Sequence, residues 1–166
     1  MKIFLLRHGI AEDGRPGRDA DRALTGEGRE QLEGVAAALA AADVRCDHLR
    51  ASPLRRALET AKLVQSAVGY RAEVATATEL VPEAPVDGAM ALLDELPRAC
   101  SVMLVGHLPH LSLLGAHLVG ARGGAINLKK AGLIRIDVDG RLAAGAGELR
   151  WLLTPGWMTR TVRQGH

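Results

Sequence analysis

Aromatic residues are nearly missing from this chain: Phe4, Tyr70, Trp151 and Trp157 are the only ones among 166. That scarcity argues against stacking-based binding of single-stranded nucleic acid and requires an aliphatic core. Cysteine is as scarce. Cys46 and Cys100 form no Cys-x-x-Cys pair, which excludes a disulfide scaffold and a cysteine-based zinc or redox site, so both read as reduced, buried thiols. Long apolar runs are missing too: the longest, Val35 to Ala42, is closed by Asp43, far short of the roughly 18 residues of a membrane helix. The opening Lys2-Ile3-Phe4-Leu5-Leu6-Arg7-His8 is too short for a signal peptide. A cytoplasmic enzyme or binding domain is expected, with no membrane and no nucleic-acid partner.

The chain has 48% apolar residues, 24% charged residues and a formal charge of +2, values of one globular domain spanning residues 1–166. No repeat, linker or low-complexity stretch divides it. Charge is uneven, with 8 basic against 3 acidic residues from Arg122 onward, and a solvated face explains this basic tail.

The apolar pattern alternates strands with helices. Residues 2–6 form a continuous apolar strand, and a polar loop runs from Gly9 to Arg22. Thr25 caps a helix reaching about Ala42, and a strand near 47–51 follows. Ser52 and Pro53 then read as the cap and first residue of a helix ending near Gly69. A short strand at 73–76, a helix at 86–96 stopped by Pro97, a strand at 101–105 and a helix at 109–119 come next. Two alternating segments, 133–138 and 148–153, read as a terminal hairpin or edge strands. Strand–helix alternation implies an α/β sandwich with a mostly parallel sheet.

In such a sheet the reactive crevice lies beyond the carboxyl ends of the strands. Two apolar strands end in histidine there, at Arg7-His8-Gly9 and Gly106-His107, and a third delivers Arg55 and Arg56 in the next helical turn. Arginine forks and neutral imidazoles suit phosphate: one imidazole can attack phosphorus while the other groups hold the charge on the equatorial oxygens. No metal is needed. Arg-His-Gly alone is a modest signal, expected by chance roughly 0.07 times in this composition, and its position at a strand end sharpens it.

Other patterns fall away. His107, His110 and His117 lack a His-Glu-x-x-His frame or accompanying cysteines, so no metal is expected. Gly26-x-Gly28 lacks the third glycine of a dinucleotide loop, and no nucleotide-binding Gly-x-x-x-x-Gly-Lys-Ser/Thr sequence is present. Ser52 has no Gly-x-Ser-x-Gly around it and is expected to act only as a cap.

Taken together, Arg7-His8-Gly9, Leu24-Thr25-x-x-Gly28, Ser52-Pro53, Arg56-Ala57-x-x-Thr60-Ala61 and Gly106-His107-x-Pro109 resemble the histidine phosphatase, or phosphoglycerate mutase-like, superfamily. Asp19-x-x-Arg22, Glu79-Leu80-x-Pro82, His107-Leu108-Pro109 and Trp151-x-x-Thr154-Pro155 resemble its SixA-type phosphohistidine phosphatases. The resemblance implies a three-layer α/β sandwich with little or no lid insertion, and no cofactor. It implies His8 as the phosphorylated nucleophile, Arg7 and Arg56 as phosphate ligands, His107 as the second catalytic histidine and Arg22 as a residue that reaches the site. Glu79 is the nearest match to the proton donor, with Glu83 and Asp87 as alternatives. The implied substrate is a phosphorylated protein, such as a histidine-phosphotransfer domain, or a small phosphate ester. A phosphomutase of the same superfamily and a non-catalytic phosphate-binding module are the other readings.

Overall fold

The computed structural model describes residues 1–14 and 17–163. Arg15 and Pro16 of the expected polar loop, and the last three residues of the basic tail, lie outside them. The strands are β1 (Lys2–Arg7), β2 (His48–Ala51), β3 (Ala75–Thr76), β4 (Ser101–Gly106), β5 (Leu133–Val138) and β6 (Gly147–Leu153). The helices are α1 (Gly26–Ala41), α2 (Arg55–Gln65), α3 (Val86–Asp94), α4 (His110–Val119) and α5 (Pro155–Arg163). Short 3-10 turns occupy Asp19–Asp21 and Thr78–Leu80.

All strands join one six-stranded sheet in the order β3-β2-β4-β1-β5-β6. The first four run parallel, whereas β5 and β6 form an antiparallel edge pair. This is the mostly parallel three-layer sandwich expected from the sequence. Strand alternation sorts its core. Phe4, Leu6, Leu49, Met103 and Val105 face one apolar cluster with residues of α1 and α2, while Ile3, Leu5, Val102 and Leu104 face another with residues of α3 and α4. Both clusters are overwhelmingly aliphatic, and Phe4 meets Trp151 at a ring-centroid distance of 5.9 Å. Cys46 and Cys100 are buried free thiols.

Two local expectations change. Ser52 does not cap α2: the cap position is Leu54 and the helix begins at Arg55, so Pro53 precedes it. The Ser52 Oγ instead accepts the Leu54 N–H at 3.3 Å, within the turn leaving β2. A further helix, α5, follows Thr154 and packs along α1, with Thr159 against Gly34. No helix among the described residues is long and apolar enough to cross a membrane.

Helix α1 buries Gly28, Leu32, Val35 and Leu39 along one stripe, and Thr25 Oγ1 caps it by accepting the Gly28 N–H at 3.0 Å. Gly28 is required by a close backbone approach. A Cβ there would lie 2.1 Å from the Ile10 carbonyl oxygen, on the loop that carries His8. Helix propensity alone favours alanine over glycine by about 1 kcal/mol. The overlap reverses that sign, and Gly28→Ala is expected to destabilise the protein by about 2 kcal/mol or more. Thermal unfolding checks it: a midpoint several degrees lower is expected, and an unchanged or higher one contradicts the packing argument.

Candidate active site

Parallel register explains how two histidines 99 residues apart in sequence become neighbours. Arg7 of β1 pairs with Gly106 of β4, and the His8 N–H donates to the Gly106 carbonyl at 3.0 Å. His8 and His107 therefore leave adjacent strands at the same level. Continuing the alternation of Phe4 and Leu6, and of Met103 and Val105, directs both side chains toward the α2 side of the sheet. Their ring centroids lie 4.9 Å apart.

Helix α2 supplies the arginine. Its buried residues, Arg56, Ala57, Thr60, Ala61 and Val64, form one stripe that packs on the sheet, and Arg56 heads that stripe at the strand-end edge. Arg55 falls off it, exposed and paired with Glu59 at 2.9 Å. Thr60 ties helix to loop: its hydroxyl donates to the Arg56 carbonyl at 2.7 Å and accepts the Gly9 N–H at 3.1 Å. Glu59 adds a second tie, accepting the Leu24 N–H at 2.9 Å.

His8 Nδ1 lies 2.7 Å from the Gly9 carbonyl, which makes Nδ1 the protonated nitrogen and leaves Nε2 with its lone pair. Burial lowers the His8 pKa to about 4, with the charges of Arg56, Arg7 and Lys130 adding to the effect and the Gly9 carbonyl opposing it. His107 is lowered to about 3, mainly by burial and then by His8 and Arg56. Both imidazoles are neutral at pH 7. Neither ring nitrogen of His107 has a hydrogen-bond partner among the described residues. The result is a neutral nitrogen nucleophile beside a second neutral imidazole and buried guanidinium charge, an arrangement able to take a phosphoryl group.

The remaining expected residues make no hydrogen bond to either histidine ring among the described residues. Arg7 donates through Nη1 to the Leu128 carbonyl at 2.8 Å. Arg22 bonds Asp19 at 2.9 Å and the Glu12 carbonyl at 2.6 Å, so its contact among these groups is with Asp19. Glu79 sits in the Thr78–Leu80 turn, its side chain against Gly88 of α3, and the adjoining Leu80 carbonyl packs on Gly106. Glu83 and Asp87 are exposed. None of these three carboxylates forms a hydrogen bond or ion pair with His8, His107, Arg7 or Arg56 among the described residues. Sequence reasoning missed Lys130, whose charge acts on His8, and Asp19 as a partner of Arg56. The Asp19-x-x-Arg22 spacing signals the Asp19–Arg22 pair but not the contact with Arg56.

A family model, "Histidine phosphatase superfamily (branch 1)", matches residues 3–81, the stretch that carries Arg7, His8 and Arg56. An uncharacterised protein of Picosynechococcus sp. is 32% identical over 165 residues, covering 95% of this chain and 99% of its own. The chain belongs to the histidine phosphatase superfamily. Among solved structures, the protein histidine phosphatase SixA complexed with tungstate is similar with a TM-score of 0.83, 25% identity, and coverage of 94% of this chain and 98% of that one. An alpha-ribazole phosphatase from Shigella flexneri shares the fold at a TM-score of 0.75 and 24% identity, covering 93% of this chain and 97% of its own. The protein is accordingly a phosphatase.

Proposed function

We propose that residues 1–166 act as one phosphatase domain working through phosphorylated His8, with phosphohistidine on another protein as its preferred substrate. The observation that carries the catalytic part is the paired neutral imidazoles: His8 Nε2 is unprotonated, and the 4.9 Å spacing sets His107 beside the phosphorus that His8 would attack. Attack forms the Nε2–P bond as the bond from phosphorus to the leaving group breaks. Arg7, Arg56 and His107 hold the transferring oxygens. Arg22 belongs to this site through Asp19. Water then attacks the phosphoryl group, the Nε2–P bond breaks, and inorganic phosphate leaves a neutral His8. Glu79, whose turn packs against the end of β4, is the first choice to protonate the leaving group, ahead of exposed Glu83 and Asp87. An imidazole leaving group that already carries a proton lessens the need for a strong acid.

Two features support the reading of the substrate class. Between Gly69 and Ser101 the chain holds only β3, one 3-10 turn and α3, and α3 packs on α4. No inserted helical segment is available to enclose a small molecule. An open depression of about 590 Å³, lined by Arg7, Ile10, Gln31, Lys129, Lys130 and Thr154 among others, adjoins Arg7 and suits a phosphorylated side chain carried on a protein surface. The cytoplasm is the compartment this reading calls for.

A small phosphate ester is the second reading, favoured by the fold shared with an alpha-ribazole phosphatase. Phosphate release from a phosphohistidine protein, 3-phosphoglycerate and p-nitrophenyl phosphate separates the two. The expected order puts the phosphohistidine protein first in kcat/KM, with no mutase activity on 3-phosphoglycerate. A small metabolite better by tenfold or more would overturn the protein-substrate reading.

A further inference from the structure

The guanidinium of Arg56 is almost fully buried, its side chain 5% exposed, and a buried charge needs a partner. Its partner comes from the loop before α1. Arg56 Nη1 donates to the Asp19 backbone carbonyl at 2.7 Å, and Nη2 donates to Asp19 Oδ2 at 2.9 Å. The other carboxylate oxygen, Oδ1, accepts from Arg22 Nη1 at 2.9 Å. Arg22 is anchored in turn, its Nε donating to the Glu12 carbonyl at 2.6 Å. Glu12 is locked to the start of α1 through Ala23: the Glu12 N–H donates to the Ala23 carbonyl at 2.9 Å, and the Ala23 N–H donates to Glu12 Oε2 at 3.2 Å. An unbroken path of hydrogen bonds thus runs from the α1 entrance to Arg56.

A guanidinium has five N–H donors and more than one bidentate edge. Asp19 engages Nη1 and Nη2 at the tip, using one hydrogen on each. Nε–H and the second hydrogen of each Nη remain, so a lateral edge can meet phosphoryl oxygens while Asp19 stays in place. We propose that Asp19 is a positioning residue for Arg56, itself held by Arg22, so that the Asp19-x-x-Arg22 pair braces the arginine that binds the transferring phosphoryl group. This rests on the reading of Arg56 as a phosphate ligand. It also assigns Arg22 a role without substrate contact: Arg22 acts through Asp19.

The brace has consequences that a stand-in anion does not. Were the Asp19 carboxylate only occupying a phosphate position, its removal would tighten oxyanion binding. A positioning carboxylate gives the opposite sign, because preorganised donors matter most in the transition state. Asp19→Asn keeps the backbone carbonyl contact and removes the charge. Its kcat on p-nitrophenyl phosphate is expected to fall about tenfold or more, with KM changing much less and vanadate inhibition weakening in parallel. Removing the partner charge of buried Arg56 is expected to lower the thermal midpoint as well, so kcat is compared at a temperature where both proteins are folded. Asp21→Asn serves as the control, since Asp21 faces Arg18 at 3.8 Å on the outer side of the same turn and should leave activity unchanged.

Arg22→Gln leaves Asp19 present but unheld, and is expected to lose activity by a smaller factor. The double variant Asp19→Asn with Arg22→Gln should be no worse than Asp19→Asn alone, because both act through one contact. Tighter vanadate binding in Asp19→Asn, wild-type kcat in it, or losses that multiply in the double variant would each overturn the brace. Arg56→Ala, measured alongside, separates the two levels. Full activity there removes Arg56 from the mechanism and the brace with it, whereas an inactive Arg56→Ala beside a fully active Asp19→Asn removes the brace alone.

Discussion

His8→Ala is expected to lower kcat by at least about 10⁴-fold and to abolish the labelled enzyme intermediate, because no other group takes over a covalent nucleophile's part. Brief incubation with labelled substrate followed by quenching should leave acid-labile, alkali-stable phosphate on the unmodified protein and none on the variant. Equal labelling of both would remove His8 from the mechanism. The pH dependence carries the same signature. In the free enzyme His8 becomes protonated only as pH falls through about 4, since burial and the neighbouring Arg56 and Arg7 charges disfavour imidazolium. The acid limb of kcat/KM due to the nucleophile should therefore fall near pH 4, after correction for ionisation of the substrate, and a limb near 6.5 would show an imidazole less buried than this one. Stability follows the same linkage. An unfolded histidine takes a proton near pH 6.5, while folded His8 and His107 resist down to about 4 and 3. Between those values the unfolded chain binds more protons, so their contribution is complete above pH 6.5 and is lost as pH falls through about 4 for His8 and about 3 for His107.

Arg56→Lys is the second large effect. It is expected to lose roughly 2 kcal/mol or more of transition-state stabilisation, about 30-fold in kcat/KM. A lysine ammonium is a point donor. It cannot reach both Asp19 contacts, at 2.7 and 2.9 Å, and still offer a planar edge to phosphoryl oxygens. Arg55→Lys should change kcat/KM little, since Arg55 is exposed and its partner is Glu59. Steady-state kinetics on the two variants decides the matter, and a larger loss from Arg55→Lys would exchange their roles.

Why Arg56 rather than Arg55 is visible in the sequence once the helix is recognised: Ala57, Ala61 and Val64 mark an apolar stripe that Arg56 and Thr60 extend. The strands were equally legible. Residues buried on both faces leave continuous apolar runs, and the first polar residues after them, Arg7-His8 and His107, fall at the carboxyl edge of the sheet. Local interactions determined these features, so local patterns reveal them. The beginning of α2 misled, because a serine before a proline is a sound cap signal, yet the turn out of β2 uses Ser52 differently and delays the helix to Arg55. What the chain order leaves open is pairing across distance. Asp19 and Arg56 are 37 residues apart, and nothing in either segment specifies that they meet. The depressed histidine pKa values are also tertiary, since they depend on how deeply the two rings are buried and which charges surround them. The pattern of apolar runs and the polar residues that end them sets which groups stand at the sheet edge. The packing of α2 and the Asp19 loop against that edge decided their protonation and their hydrogen bonds, because burial and charge pairing are properties of the assembled fold.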